Sequence, residues 1–105
     1  MGRLEGKVAM ETGAAQGIGR GIALEYAKEG ADLAILDLQG EKLAETETEI
    51  KKLGRRVFSF VGNVADEDTV IAFVEKTVEI FGKLDILTHA AGILRSCPIV
   101  DQDVK

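Results

Sequence analysis

Cysteine is almost absent from this sequence: Cys97 is the only one in 105 residues. That excludes an internal disulfide and any zinc site built on several thiolates, and Cys97 reads as a small loop residue ahead of Pro98. Basic residues are in deficit, 13 against 18 acidic ones, for a net charge of −5 and a pI near 4.9. With no basic field to follow a phosphate backbone, nucleic acid is not an expected partner. Long apolar runs are missing as well, since none reaches the roughly 20 residues that span a bilayer. The amino end, Met1-Gly2-Arg3-Leu4-Glu5-Gly6-Lys7, has no apolar core of the signal-peptide kind. Met1-Gly2 opens like a myristoylation signal, but that signal takes Ser or Thr at position 6, where this chain has Gly6. The expectation is a cytoplasmic protein with no membrane partner. No linker, repeat or low-complexity tract divides the chain, so residues 1–105 are expected to form one domain.

What is present is an alternation of two periodicities. Lys7 to Thr12 is a short apolar run ending at Gly13, the pattern of a strand buried between two layers. From Gly17 to Glu29, Ile18, Ile22, Ala23, Tyr26 and Ala27 recur at helical spacing until Gly30. Ala31 to Leu38 predicts a second strand, and Gln39 to Leu53 a charged helix with Leu43, Ile50 and Leu53 on one side, closed by Gly54. Arg56 to Val61 predicts a third strand. Asp66 caps a helix whose Val70, Val74, Thr77, Val78 and Phe81 face inward before Gly82, and Leu84 to Ala90 predicts a fourth strand. The segment from Arg95 to Lys105 is left unassigned.

Strands alternating with helices of this length predict an α/β fold, a parallel sheet of the Rossmann type with helices on both faces. The expected strand order is 3-2-1-4, which opens a crevice between strands one and four at their carboxyl ends, where ligands bind in such sheets.

Between the first strand and first helix lies Thr12-Gly13-Ala14-Ala15-Gln16-Gly17-Ile18-Gly19, a turn without bulk. Such a turn lets the backbone approach a pyrophosphate while helix N–H groups and the positive dipole end face it. Its spacing is not the common Gly-x-Gly-x-x-Gly, nor does a Gly-Lys-Ser/Thr follow as in nucleoside-triphosphate loops. Taken alone, the glycines also suit a plain tight turn. Asp37 ends the second strand eighteen residues after Gly19, near the roughly 20-residue offset of a carboxylate that accepts ribose hydroxyls. Asn63-Val64 ends the third strand, where an amide can donate to and accept from an adenine edge while a valine packs on its ring. An ordinary asparagine turn is the competing reading there.

Together, Thr12-Gly13-x-x-x-Gly17-x-Gly19, Asp37, Asn63-Val64 and Ala91-Gly92 resemble the short-chain dehydrogenase/reductase family over essentially the whole chain. The resemblance implies NAD(P) binding, with Gly13, Gln16, Gly17, Ile18 and Gly19 around the pyrophosphate. It further implies Asp37 at the adenosine ribose, Asn63 and Val64 at the adenine, and Ala90 and Gly92 among the cofactor-binding residues. NAD is expected over NADP, because Asp37 would repel a 2′-phosphate while Ala14, Ala15, Gln16 and Leu38 offer no positive charge. Arg20 is the only cation expected nearby, and its place after Gly19 directs it away from the ribose.

The chain departs from the family pattern in three respects. His89-Ala90-Ala91-Gly92 stands where the family has Asn-Asn-Ala-Gly, and His89 reads as a packed structural residue rather than a catalytic one. Glu11 falls inside the first strand, where burying a carboxylate is costly unless it is protonated or paired. The family's catalytic serine, tyrosine and lysine have no counterpart: the sole tyrosine, Tyr26, is in the first helix with Gly30 four residues on, and Ser59 and Ser96 come too early. No catalytic residue is therefore assigned. The chain is expected to be the cofactor-binding front portion of such an oxidoreductase, inactive alone, with self-association through the edge of the fourth strand. Two alternatives stay open: a non-catalytic nucleotide-binding module or half of a complex, and a domain similar to S-adenosylmethionine-dependent methyltransferases, whose acidic glycine-rich motif resembles Glu11-x-Gly13-x-Ala15-x-Gly17.

Overall fold

The computed structural model describes residues 2–88. Its elements alternate as β1 Val8–Thr12, α1 Gly17–Lys28, β2 Asp32–Asp37, α2 Gly40–Lys52, β3 Val57–Val61, α3 Glu67–Phe81 and β4 Ile86–Thr88. The predicted segments run slightly longer because residues at their ends act as caps: Glu29 closes α1, and Gln39 and Leu53 flank α2. Residues 89 and 90 of the predicted fourth strand lie outside the described residues.

All strand pairs are parallel, and the sheet order is β3-β2-β1-β4, as expected. Met10 of β1 lies between Ala34 of β2 and Leu87 of β4, and Ala34 in turn pairs with Phe58 of β3. The period-2 alternation of strand side chains divides the interior into two layers. Val8, Met10, Ala34 and Leu36 pack on one face with Val70, Phe73 and Val74 of α3. Ala9, Leu33 and Ile35 pack on the other with Ala23 and Ala27 of α1 and Leu43 and Ile50 of α2. The layers differ in texture. Small residues let α1 lie close to the sheet, whereas on the α3 face the ring of Phe73 stacks on Phe58 at 6.2 Å and Phe60 at 5.7 Å. Each such fully buried side chain stabilises the fold by about 1.5–3 kcal/mol.

Leu53, grouped with Leu43 and Ile50 on one side of the second helix, is 42% exposed, because it is the cap of α2, where the backbone has left the helical path. Ile18, which shares the helical spacing of α1 and is expected at the pyrophosphate, lies in the first turn and is 76% exposed. Val70, Val74 and Thr77 are buried as expected, while Phe81 is half-buried, its ring 4.9 Å beneath the Arg56 guanidinium. Glu11 is fully buried in β1, between Ile35 and Thr88 in the sheet register, and is engaged by a neighbouring group.

Candidate functional site

The carboxyl end of β1 runs into the glycine turn, and three features shape it. Gly13 and Gly17 have φ of 67° and 63°, left-handed values that a side chain disfavours. Gly19 is buried against the start of the turn: a Cβ there would collide with the Gly13 carbonyl oxygen and stand 2.7 Å from its carbon and 3.2 Å from Thr12 O. The turn therefore folds back on α1 only because position 19 carries no side chain. Third, the start of α1 is left open. Gln16 makes no side-chain cap and the first turn holds no acidic residue, whereas α2 has Glu41 and α3 has Glu67 and Asp68 in theirs. The α1 dipole end thus keeps its positive character toward an anion.

Asp37, at the carboxyl end of β2, ties the neighbouring loops together. Its Oδ2 accepts from Ala15 N at 3.0 Å and its Oδ1 from Gln39 N at 2.9 Å. A carboxylate has about four acceptor positions, so two backbone donors leave capacity for hydroxyls. Beside it opens a cleft of about 190 Å³ lined by Gly13, Leu36, Asp37, Leu38, Gly62, Asn63 and Val64. Four of the sequence-predicted residues, Gly13, Asp37, Asn63 and Val64, are thus brought to one cavity from three strand ends. Gln16, Gly17 and Ile18 are exposed on the turn, and Gly19 is buried beneath it. Ala90, Gly92 and His89 lie outside the described residues.

Asn63 behaves partly as the competing reading had it. Its Oδ1 accepts from Ala65 N at 2.9 Å and its carbonyl from Asp66 N at 3.0 Å, a turn that leads into α3. The side-chain amide donors and the second acceptor position of Oδ1 are what remain for a ligand. Val64 packs against the α3-side core while lining the cleft.

Sequence reasoning missed the contribution of α2. Thr46, fully buried, donates its hydroxyl to Ala14 O at 2.9 Å, and Arg20 Nη1 donates to the same hydroxyl oxygen at 3.3 Å. Four residues earlier on the helix, Lys42 Nζ donates to Gln16 Oε1 at 2.7 Å. The expectation that Arg20 is the only cation near the turn is therefore corrected: Lys42 reaches it from α2. A signal existed, since Thr46 falls between Leu43 and Ile50 at helical spacing and so belongs to the inward face. Lys42, an exposed lysine on a charged helix, carried none.

Open backbone donors over a bulk-free turn, a carboxylate with spare acceptors and a partly apolar cleft fit a pyrophosphate joined to an adenosine. Among the described residues no group of three or more His, Cys, Asp or Glu could hold a metal ion, and no helix is long and apolar enough to cross a membrane.

Comparison with known proteins agrees with this geometry. A family model described as short chain dehydrogenase matches residues 7–105. The chain is 42% identical over 98 residues to a 3-oxoacyl-[acyl-carrier-protein] reductase of Thermotoga maritima, covering 93% of this chain and 40% of that protein. It is 45% identical over 96 residues to an L-rhamnose 1-dehydrogenase (NAD(P)(+)) of a Sphingomonas species, covering 90% of this chain and 37% of the relative. The structure of carveol dehydrogenase from Mycobacterium avium in complex with NAD superposes with a TM-score of 0.79 at 38% identity, over 83% of this chain and 36% of that one. The chain thus spans 40% or less of the length of these relatives.

Proposed function

Since the chain belongs to the short chain dehydrogenase family, we propose that it is the dinucleotide-binding portion of a cytoplasmic oxidoreductase that moves a hydride between a nicotinamide cofactor and an alcohol or ketone. The observation that carries this reading is the coupling of Asp37 to the glycine turn through Ala15 N, which sets a ribose-type acceptor beside a pyrophosphate-type cradle. The carveol dehydrogenase of Mycobacterium avium, similar in fold and sequence, is complexed with NAD. In this reading residues 1–105 form one cofactor-binding unit. Gly13, Gln16, Gly17, Ile18 and Gly19 meet the pyrophosphate, Asp37 the adenosine ribose, Asn63 and Val64 the adenine, and Ala90 and Gly92 border the cofactor. The role proposed for residues 1–105 is cofactor binding, and no catalytic residue is assigned among them. It self-associates through the β4 edge.

NAD is the preferred cofactor. A 2′-phosphate against Asp37 would be repelled by roughly 4 kcal/mol for unit charges 4 Å apart at an effective dielectric near 20, and by less where water screens the pair. The test is calorimetric titration of the chain with NAD, NADP and S-adenosylmethionine, repeated with Asp37→Ala. The parent should bind NAD most tightly and S-adenosylmethionine not at all, and Asp37→Ala should narrow the gap between NAD and NADP. Binding of S-adenosylmethionine in place of NAD would overturn the oxidoreductase reading. Equal affinity for NAD and NADP in the parent would overturn only the preference.

A further inference from the structure

We propose that Lys42 sets how steeply this site discriminates against a 2′-phosphorylated dinucleotide: among the described residues its ammonium is the counter-charge at the glycine turn that can change partner. The inference rests on the dinucleotide-binding reading and concerns the same site. Lys42 stands in the first turn of α2, exposed, with Nζ 2.7 Å from Gln16 Oε1. Gln16 follows Ala15, whose N–H is held by Asp37 Oδ2 at 3.0 Å. A carboxylate and an ammonium therefore bracket the same two residues of the glycine turn from opposite signs.

Three observations give Lys42 this role rather than Arg20. First, the Lys42 partner is a neutral amide, and among the described residues Lys42 makes no ion pair, although Glu41 and Glu45 lie on the same helix. An ammonium forms a stronger, charge-assisted bond to a phosphate than to an amide oxygen, so a phosphate competes well for it. Second, Arg20 is committed: its Nη1 donates to Thr46 Oγ1, which is buried and itself bonded to Ala14 O. Moving Arg20 would take the donor from that cluster, whereas moving Lys42 releases only an exposed contact. Third, both Asp37 oxygens already accept backbone N–H groups, which offsets part of the carboxylate charge and leaves the balance at the turn sensitive to a single added cation. Lys42 thus relieves part of the repulsion between Asp37 and a 2′-phosphate, and the preference for NAD is shallower than Asp37 alone would set.

The test measures dissociation constants for NAD and NADP, at low and high salt, on the parent, Lys42→Met and Lys42→Arg. Lys42→Met keeps the length and apolar stem and removes the charge. It should weaken NADP about three- to fivefold, the upper part of the range of an exposed ion pair, with NAD nearly unchanged, and should reduce the salt dependence of NADP binding. Lys42→Arg should restore NADP to within about twofold of the parent, because the guanidinium pairs with phosphate as well. Equal weakening of both cofactors in Lys42→Met would mean that Lys42 only orients Gln16, and that overturns the inference. An unchanged NADP-to-NAD ratio overturns it too while leaving cofactor binding intact. A parent chain that binds neither dinucleotide overturns the functional reading, and this one with it.

Discussion

Gly19 and Gly21 stand two residues apart in α1 and carry opposite expectations. A Cβ at Gly19 would meet the carbonyl of Gly13, which is backbone and cannot swing away, while a Cβ at Gly21 meets nothing within 4 Å. Gly19→Ala should therefore cost about 1–3 kcal/mol through overpacking and weaken NAD binding, because the turn must open to admit the methyl. Gly21→Ala should gain about 0.4–1 kcal/mol, since alanine loses less conformational freedom in a helix. Urea denaturation of both variants, with NAD titration of the folded ones, checks the pair. A Gly19→Ala chain as stable as the parent would contradict the close approach. Glu47 makes the second prediction at this scale. Partial burial pushes its carboxyl up, but the Ser59 hydroxyl at 2.8 Å and the Lys51 ammonium at 3.1 Å outweigh that and hold it below its usual 4.5. A lowered folded value means the contribution is present at neutral pH and is lost as pH falls from about 4.5 through the folded value. Glu47→Gln should be less stable than the parent at pH 7, and the difference should shrink as the pH is taken below that range. A difference independent of pH would show that the carboxylate charge contributes nothing.

At the scale of elements, the three helices among the described residues begin in three different ways. α3 is capped conventionally: Asp66 Oδ1 accepts from Asp68 N at 3.0 Å and from Thr69 N at 3.4 Å, with Glu67 and Asp68 completing an acidic first turn. Asp66→Ala should cost about 1 kcal/mol, within the usual 0.5–2 for a lost cap, and Asp66→Asn should recover most of it. Chemical denaturation measures both, and no loss in Asp66→Ala would mean that packing of Val70, Phe73 and Val74 alone sets the start of this helix. α1 forgoes such a cap, since Gln16 makes no side-chain bond to the helix start and no acidic residue follows in the first turn. This contrast was legible in the sequence, because caps and glycine turns are local chemistry that residue types specify. The strand order was legible too, since parallel neighbours with helical crossovers leave few topologies. Contacts between elements far apart in the chain were not. Thr46 on Ala14 spans 32 residues and Lys42 on Gln16 spans 26, and no periodicity in α2 says which loop its inward face will meet. Ile18 shows the limit of periodicity from another side: it shares the helical spacing of Ile22, Ala23, Tyr26 and Ala27, but at the first turn of α1 that face is exposed.

For the molecule as a whole, the consequence of a site built from three strand ends is that a ligand there should hold the sheet together. The cleft draws Gly13 from the end of β1, Leu36 and Asp37 from β2, and Gly62, Asn63 and Val64 from the segment after β3. Beyond the strand ladders, these segments are joined at that end by Ala14 N to Leu36 O at 3.2 Å, Gly62 N to Asp37 O at 3.1 Å and Ala15 N to Asp37 Oδ2 at 3.0 Å. A ligand that binds the folded chain and not the unfolded one adds RT ln(1 + [L]/Kd), about 2.7 kcal/mol at one hundred times Kd. In a domain of this size each kcal/mol moves Tm by roughly 4–8 °C, so NAD at that excess should raise Tm by roughly 10–20 °C. The shift should grow with the logarithm of NAD concentration once Kd is passed. Asp37→Ala should need more NAD for the same shift, because it removes the acceptor of Ala15 N together with the proposed ribose acceptor. Protein concentration must be held fixed in the scans, since among the described residues β4 pairs only with β1, and an open outer edge can recruit a second chain and raise Tm by itself. Scans at two protein concentrations separate the effects. A rise that follows protein and not NAD would assign the stabilisation to edge pairing, and a Tm unmoved by NAD far above the measured Kd would show that the ligand does not bridge these strand ends in the folded state.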